Sequence, residues 1–176
     1  MTSHKPEMTE EAVAALRRQE EKAFEVFFNS HSGLVYSIAW AALNNRQKAE
    51  DALQEVFLKA WHALPRFEGN KLAAWLSRIT HNVCVDIQRQ QQRSPAIAGK
   101  PVEEIAIVQD HQISNEFPAM LDTLKPLEKE VIILKKIEGL SYQEISEITG
   151  LAEGSLRNMV MKVIKSLQGA SNEQGM

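Results

Sequence analysis

The amino-acid sequence predicts an all-α protein: two small helical domains joined by a flexible linker. Three observations carry that expectation. Apolar residues recur at spacings of three and four through almost every segment, and no stretch alternates as a half-buried strand would. Residues 94–115 lose the period and hold two prolines, one glycine and three acids, the composition of a linker. Helix punctuation stands at the expected places, with Pro65 closing one helical pattern and Ser141 followed three residues later by Glu144 opening another.

The elements follow in order. Thr9 caps a first helix through "EEAVAALRRQEEKAFEVFF", which the "NSHSG" cluster is expected to break, and a second helix runs through "LVYSIAWAAL". Asn44 and Asn45 make a turn that supplies a cap for the helix reaching Leu64. After the loop "RFEGN", a long helix extends from about Lys71 to Gln92, with Leu72, Leu76, Ile79, Val83 and Ile87 as its core stripe. Beyond the linker come "EFPAMLDTL", then "PLEKEVIILKKIE" with Pro126 near its start, then two short helices. The resulting division is an N-terminal tail and first-helix start at 1–21, a domain at 22–93, a linker at 94–115, a second domain at 116–170 and a tail at 171–176.

Composition narrows the class. The chain has 176 residues, 44% of them hydrophobic, enough for a core. No apolar run approaches the roughly 18 residues of a membrane span, and the N-terminus lacks the apolar centre of a signal peptide. A single cysteine, Cys84, rules out an internal disulfide framework and suits a reducing compartment, so a soluble intracellular protein is expected. The net charge of −3 argues against a general nucleic-acid binder, but it is unevenly spread. Lys71, Arg78, Arg89 and Arg93 face only Asp86 within 69–93, and Arg157, Lys162 and Lys165 face only Glu153 within 152–168. Two modest basic patches in an acidic chain suit DNA affinity that is weak when the protein is alone.

Catalytic chemistry finds no support. The five histidines are scattered, and no phosphate-cradling glycine loop or nucleophile–base set is present. His81 and Cys84 are two potential metal ligands where a zinc site needs three or four, so no metal and no cofactor is expected, and Cys84 reads as a packing residue.

Three polar faces remain. In "DALQEVFLKAW", Leu53, Val56, Phe57, Ala60 and Leu64 form the core stripe, while Asp51, Gln54, Glu55 and His62 occupy the other side with Leu58 in their midst. On the helix from Lys71, Arg78, Asn82 and Arg89 align at spacings of four and seven, with Arg93 extending the trend and Trp75 near the same edge. Such a stripe is either a solvated face or a track for a backbone and an unstacked base. In "GLSYQEISEITGLAEGSLRNMVMKVIKSL", a capped helix, a tight turn and a second helix make a helix-turn-helix layout. It places Ser155, Arg157, Asn158 and Lys162 toward a major groove, or toward solvent in a simple three-helix unit.

Together "AEDALQEVFLKAWHAL", "FEGNKLAAWLSRITHNVCVDIQRQ" and "LEKEVIILKKIEGLSYQEISEITGLAEGSLRN" resemble bacterial RNA polymerase sigma factors of the extracytoplasmic-function (ECF) group, over roughly 22–93 and 117–168. The resemblance implies sigma regions 2 and 4 on a flexible linker, and an alternative sigma factor directing promoter-specific initiation in response to a stress or envelope signal. It implies docking of Asp51, Gln54, Glu55 and Leu58 on the β′ clamp helices of core RNA polymerase, and a region 4 contact with the β flap. It further implies promoter −10 DNA contacts by Trp75, Arg78, Asn82, Arg89 and Arg93, with a base flipped into the "FEGN" loop. Ser155, Arg157, Asn158 and Lys162 would contact the −35 element. The linker, with Glu103, Glu104 and Asp110, would thread toward the RNA exit path, and an anti-sigma factor would cover Leu58. Two features depart from the family pattern. The loop before Lys71 is about one residue short, and Met159, Met161 and Ile164 stand where the family often has basic or aromatic residues, which suits either weaker DNA contact or a protein partner. The rivals are an autonomous helix-turn-helix regulator, and a sigma-like interaction protein without promoter recognition.

Overall fold

The structure, a computed structural model, describes residues 8–93 and 119–173; the linker reading falls outside these. Among the described residues every regular element is helical: α1 (Glu10–Arg17), α2 (Glu21–Leu43), α3 (Arg46–Ala63), α4 (Leu72–Arg93), α5 (Pro126–Ile132), α6 (Tyr142–Thr149) and α7 (Glu153–Glu173). Short 3-10 turns at Leu64–Arg66 and Ala119–Thr123 and a π turn at Ile133–Ile137 complete them.

Local chemistry accounts for most boundaries. The Thr9 hydroxyl accepts from the Ala12 amide, and the Asn45 side chain from the Lys48 amide, each satisfying an orphan N–H of a first turn. Asn44 takes the left-handed conformation, φ 45°, that ends α2, and Gly150 does so at φ 75° after α6. Ser141 and Glu144 exchange the bonds of a capping box at 3.1 and 2.8 Å.

One expected boundary is misplaced. The break falls at Arg18–Glu20, where Gln19 has φ 56°, and α2 runs unbroken through "NSHSG". The polar side chains there are absorbed by the helix: the Ser30 hydroxyl donates to the Val26 carbonyl at 2.7 Å, and His31 Nδ1 lies 3.1 Å from the Phe27 carbonyl. A first helix thus forms separately and docks into the core through Val13 and Leu16. At the other end α7 continues to Glu173, past the expected limit.

Two apolar cores result. The first joins α1 to α4 through Leu16, Phe27, Val35, Val56, Phe57, Leu76 and Val83. Phe57 anchors it, with ring centroids 6.2, 5.7 and 4.6 Å from Phe24, Phe27 and Phe28. The second joins α5, α6 and α7 through Val131, Leu134, Ile145, Leu156 and Val163, and it also contains Leu34, Ile38 and Ala41 of α2. The two helical blocks are therefore packed together, α5 on α2 and α6 on α4. Deleting the Phe57 ring leaves a cavity among three other rings. Phe57→Ala is expected to lower stability by about 3–5 kcal/mol, read as a lower urea midpoint.

Candidate polymerase and nucleic-acid interfaces

The first candidate face lies on α3. At about 100° per residue, Asp51, Gln54, Glu55 and Leu58 fall within an arc of about 100°, with Leu58 near its middle. All four are exposed, and Leu58 presents 60% of its surface to solvent. On the opposite side of the helix Leu53, Val56 and Ala60 are buried, so the leucine sits on a rigid base. Its polar neighbours are held by local bonds, Gln47 to Asp51 at 3.2 Å and Lys59 to Glu55 at 3.1 Å. Exposed pairs of this kind are worth about 0.2–1 kcal/mol, so an incoming cation can displace Lys59 readily.

The second face lies on α4. Trp75, Arg78, Asn82, Arg89 and Arg93 fall within an arc of about 60°, and all but the half-buried Trp75 are exposed. The tryptophan ring leans on Phe67 at 4.9 Å, which ties it to the loop before the helix. That loop turns at Gly69, whose φ of 116° disfavours any side chain. Arg17 of α1 secures it, donating to the Gly69 carbonyl at 3.1 Å and lying 5.8 Å from the centre of the Phe67 ring. Glu68, Asn70 and Lys71 are left exposed around the turn.

The third face lies on α7. Ser155, Asn158 and Lys162 share an arc of about 60° and are exposed, while Arg157 stands about 100° from Asn158. Arg157 bonds Glu153 at 3.2 Å and covers the Tyr142 ring at 5.1 Å; Lys135 lies 4.4 Å from the same ring. Of the three unusual residues on this helix, Met159 and Ile164 pack against the second core, and Met161 is the exposed one. Their apolar character is thus explained largely by packing, because one helix carries both a groove-facing and a core-facing stripe.

The domain contact also creates a site that sequence reasoning missed. Lys71 bonds Glu144 at 2.6 Å and His81 Nδ1 lies 2.7 Å from Glu130, each pair joining α4 to the second block. Burial pulls the Glu144 carboxyl up, but the hydrogen bond from Lys71 and those from Ser141 outweigh it and hold the group below the usual carboxylate value. Partners some 50 and 70 positions apart have no local signature.

Comparison with known proteins decides the family. The Sigma-70 region 2 model matches residues 27–94 and the Sigma-70 region 4 model matches residues 114–167. An ECF RNA polymerase sigma factor, SigE of Mycolicibacterium smegmatis, is 28% identical over 150 residues, covering 78% of this chain and 57% of that longer protein. EcfG of Rhodopseudomonas palustris, another ECF sigma factor, is 30% identical over 128 residues, covering 70% of this chain and 71% of its own. The chain belongs to the ECF family of RNA polymerase sigma factors. As an alternative sigma factor it serves transcription initiation, directing RNA polymerase to promoters. The fold agrees with the solved structure of the sigma factor RpoE of Bartonella quintana in complex with the anti-sigma factor NepR. The TM-score is 0.64 at 27% identity, over 84% of this chain and 96% of that one.

No group of three or more metal-ligating side chains occurs among the described residues of this sigma factor, and no described helix is long and apolar enough to cross a membrane. Cys84 is buried, and burial first, then the charges of Glu130 and Glu55, push its thiol up to about 12. The neutral thiol is a poor nucleophile. Thiol-specific reagents at pH 8 are therefore expected to label Cys84 only after denaturation, counted by mass spectrometry.

Proposed function

We propose that this sigma factor docks on the clamp helices of the polymerase β′ subunit through Asp51, Gln54, Glu55 and Leu58. The observation that carries this reading is Leu58: a large apolar side chain, exposed, rigidly backed and ringed by acids and an amide. That is the anatomy of an anchor with a polar rim, fitted to a basic partner with an apolar pocket. Residues 22–93 act as region 2 and 116–170 as region 4, joined by a linker at 94–115, with an N-terminal tail and first-helix segment at 1–21 and a C-terminal segment at 171–176.

Within region 2, Trp75, Arg78, Asn82, Arg89 and Arg93 engage −10 DNA. The aromatic ring beside a glycine turn suits a base taken out of the stack, and the arginines suit the phosphates that hold the strand in place. In region 4, Ser155, Asn158 and Lys162 face the −35 groove together, with Arg157 reaching DNA if it leaves Glu153; the β flap holds this domain on polymerase. The protein works in the cytoplasm as an initiation factor without catalytic activity or cofactor. It is held in reserve by an anti-sigma factor that covers Leu58 until a stress or envelope signal releases it, a reading supported by the anti-sigma complex of the RpoE homologue.

Two measurements test these roles. Labelled protein is titrated against purified bacterial core polymerase beside Leu58→Arg, with duplex DNA as control. The variant is expected to bind at least about 30-fold more weakly, the factor that corresponds to losing a 2 kcal/mol anchor. Tight duplex binding without polymerase binding would overturn the reading in favour of an autonomous regulator. Trp75→Ala is expected to keep polymerase affinity and to lose promoter opening by the equivalent of about 1–3 kcal/mol, the value of one base–aromatic stack, followed by permanganate footprinting.

A further inference from the structure

Helix α1 lies before residue 27, where the region 2 match begins, yet the residues at its end reach across the fold to the connection between α3 and α4. Two side chains make that reach. Gln19 donates from Nε2 to the Trp61 carbonyl at 2.8 Å, across 42 positions. In a continuing helix this carbonyl would receive the N–H four residues on, but residue 65 is proline and has none. Gln19 supplies the missing donor. It does so from a left-handed backbone, φ 56°, an uncommon conformation for a residue with a side chain. Arg17 donates to the Gly69 carbonyl, across 52 positions, and its guanidinium also lies 5.8 Å from the centre of the Phe67 ring.

Both ends of this reach are fixed. Leu16, beside Arg17, is fully buried, and Val13 nearly so. The turn after α1 is closed by backbone bonds, from the Gln19 amide to the Leu16 carbonyl at 2.9 Å and from the Glu20 amide to the Ala15 carbonyl at 3.1 Å. On the loop, Phe67 is buried with its amide bonded to the Leu64 carbonyl, and the Lys71 carbonyl accepts from the Trp75 amide. Between these flanks Glu68, Gly69 and Asn70 are exposed. Gly69 stands in the open, with nothing within 4 Å of where a Cβ would sit. Glycine loses more freedom than any other residue when it is ordered. The bond from Arg17 holds its carbonyl before any ligand arrives.

Arginine suits the task. Its planar guanidinium carries five N–H donors, so one can meet a carbonyl while the group still contacts an aromatic ring. The ring it contacts is the one on which Trp75 leans, with centroids 4.9 Å apart. Arg17, Phe67 and Trp75 therefore form one line of contacts from α1 to the −10 face, with the glycine turn tied to its start.

We propose that Arg17 is a positioning residue for −10 recognition: α1 braces the turn at Gly69 in the shape that receives an extruded base, with Gln19 as its footing on α3. The proposal rests on the −10 role of Trp75 and its loop given above. It makes base discrimination depend on a helix that itself touches no DNA. An exposed hydrogen bond adds little to global stability, so losing this one is felt at the turn rather than in the fold.

The test uses holoenzyme assembled from purified core polymerase and the full chain. A short single-stranded DNA pool of random sequence is selected on the wild-type holoenzyme. The selected strand is then compared with copies made abasic at each position in turn. Arg17→Ala is expected to keep its affinity for core polymerase and its urea midpoint. It is expected to bind the selected strand about tenfold more weakly, the factor for fixing one backbone residue at the moment of binding. At the position whose base is captured, the abasic penalty is expected to shrink by the same factor, because an unbraced turn gains little from the base. Arg17→Lys keeps a donor for the carbonyl but not the planar contact with Phe67, and is expected to fall between.

Salt dependence separates the brace from a direct phosphate contact. In Arg17→Ala the slope of log affinity against log salt is expected to be unchanged. A slope shallower by about 0.7, with the abasic penalty intact, overturns the brace and makes Arg17 a phosphate ligand. Affinity and abasic penalty both equal to the wild type's overturn it as well. Trp75→Ala is measured alongside. If that variant binds every strand as the wild type does, the −10 role itself fails; if it loses the base preference while Arg17→Ala keeps it, the brace alone fails.

Discussion

Leu34 and Val35 are neighbours in the chain and face different cores. So do Ile38 and Ala39: the first of each pair packs with region 4, the second with the helices of region 2. Helix α2 therefore carries two apolar stripes, and a helix apolar on most of its circumference has to be covered on more than one side. Region 2 covers one stripe with α1, α3 and α4. Region 4 covers the other. Burial of a leucine or isoleucine is worth about 1.5–3 kcal/mol, so the second stripe supplies a driving force for bringing the domains together that a linker alone would not.

Everything else in the closed arrangement is subordinate to that apolar contact. Seating α5 on α2 brings Glu130 to His81, and seating α6 on α4 brings Glu144 to Lys71. Neither ion pair would hold two domains by itself, because one has its lysine in solvent and the other must recover the cost of desolvating both partners. What they add is register: each fixes where along α4 the second domain sits. That register sets the acidic side of α6 against the glycine turn and Trp75, a geometry that matters for any strand approaching region 2.

The remaining faces obey a simpler rule. Leu58, the α4 stripe and the Ser155–Asn158–Lys162 edge lie opposite buried stripes on their own helices, so amphipathic periodicity alone puts them in solvent. Their support is local as well: Val56 behind Leu58, Phe67 beside Trp75, and Leu156 and Val160 beneath the α7 edge. A contact residue held by a well-packed core loses little freedom when it binds, which is the condition under which one exposed leucine can act as an anchor.

The sequence by itself determined the helical class, the caps at Thr9, Asn45 and Ser141, the left-handed turns at Asn44 and Gly150, and the side of each helix that meets solvent. These depend on propensity, local hydrogen bonds and a period of 3.6 residues, all of them readable within a few positions. It misled at "NSHSG", because isolated turn formers inside a long apolar helix are overruled when tertiary packing covers the helix and i−4 carbonyls absorb the polar groups. The tertiary structure alone decided which core claims Leu34 rather than Val35, that Arg157 turns to Tyr142 while Ser155 and Asn158 do not, and that His81 meets Glu130. The Leu34 and His81 outcomes depend on pairings across some 50 to 100 residues and that of Arg157 on one across 15, beyond the few positions over which local signals act.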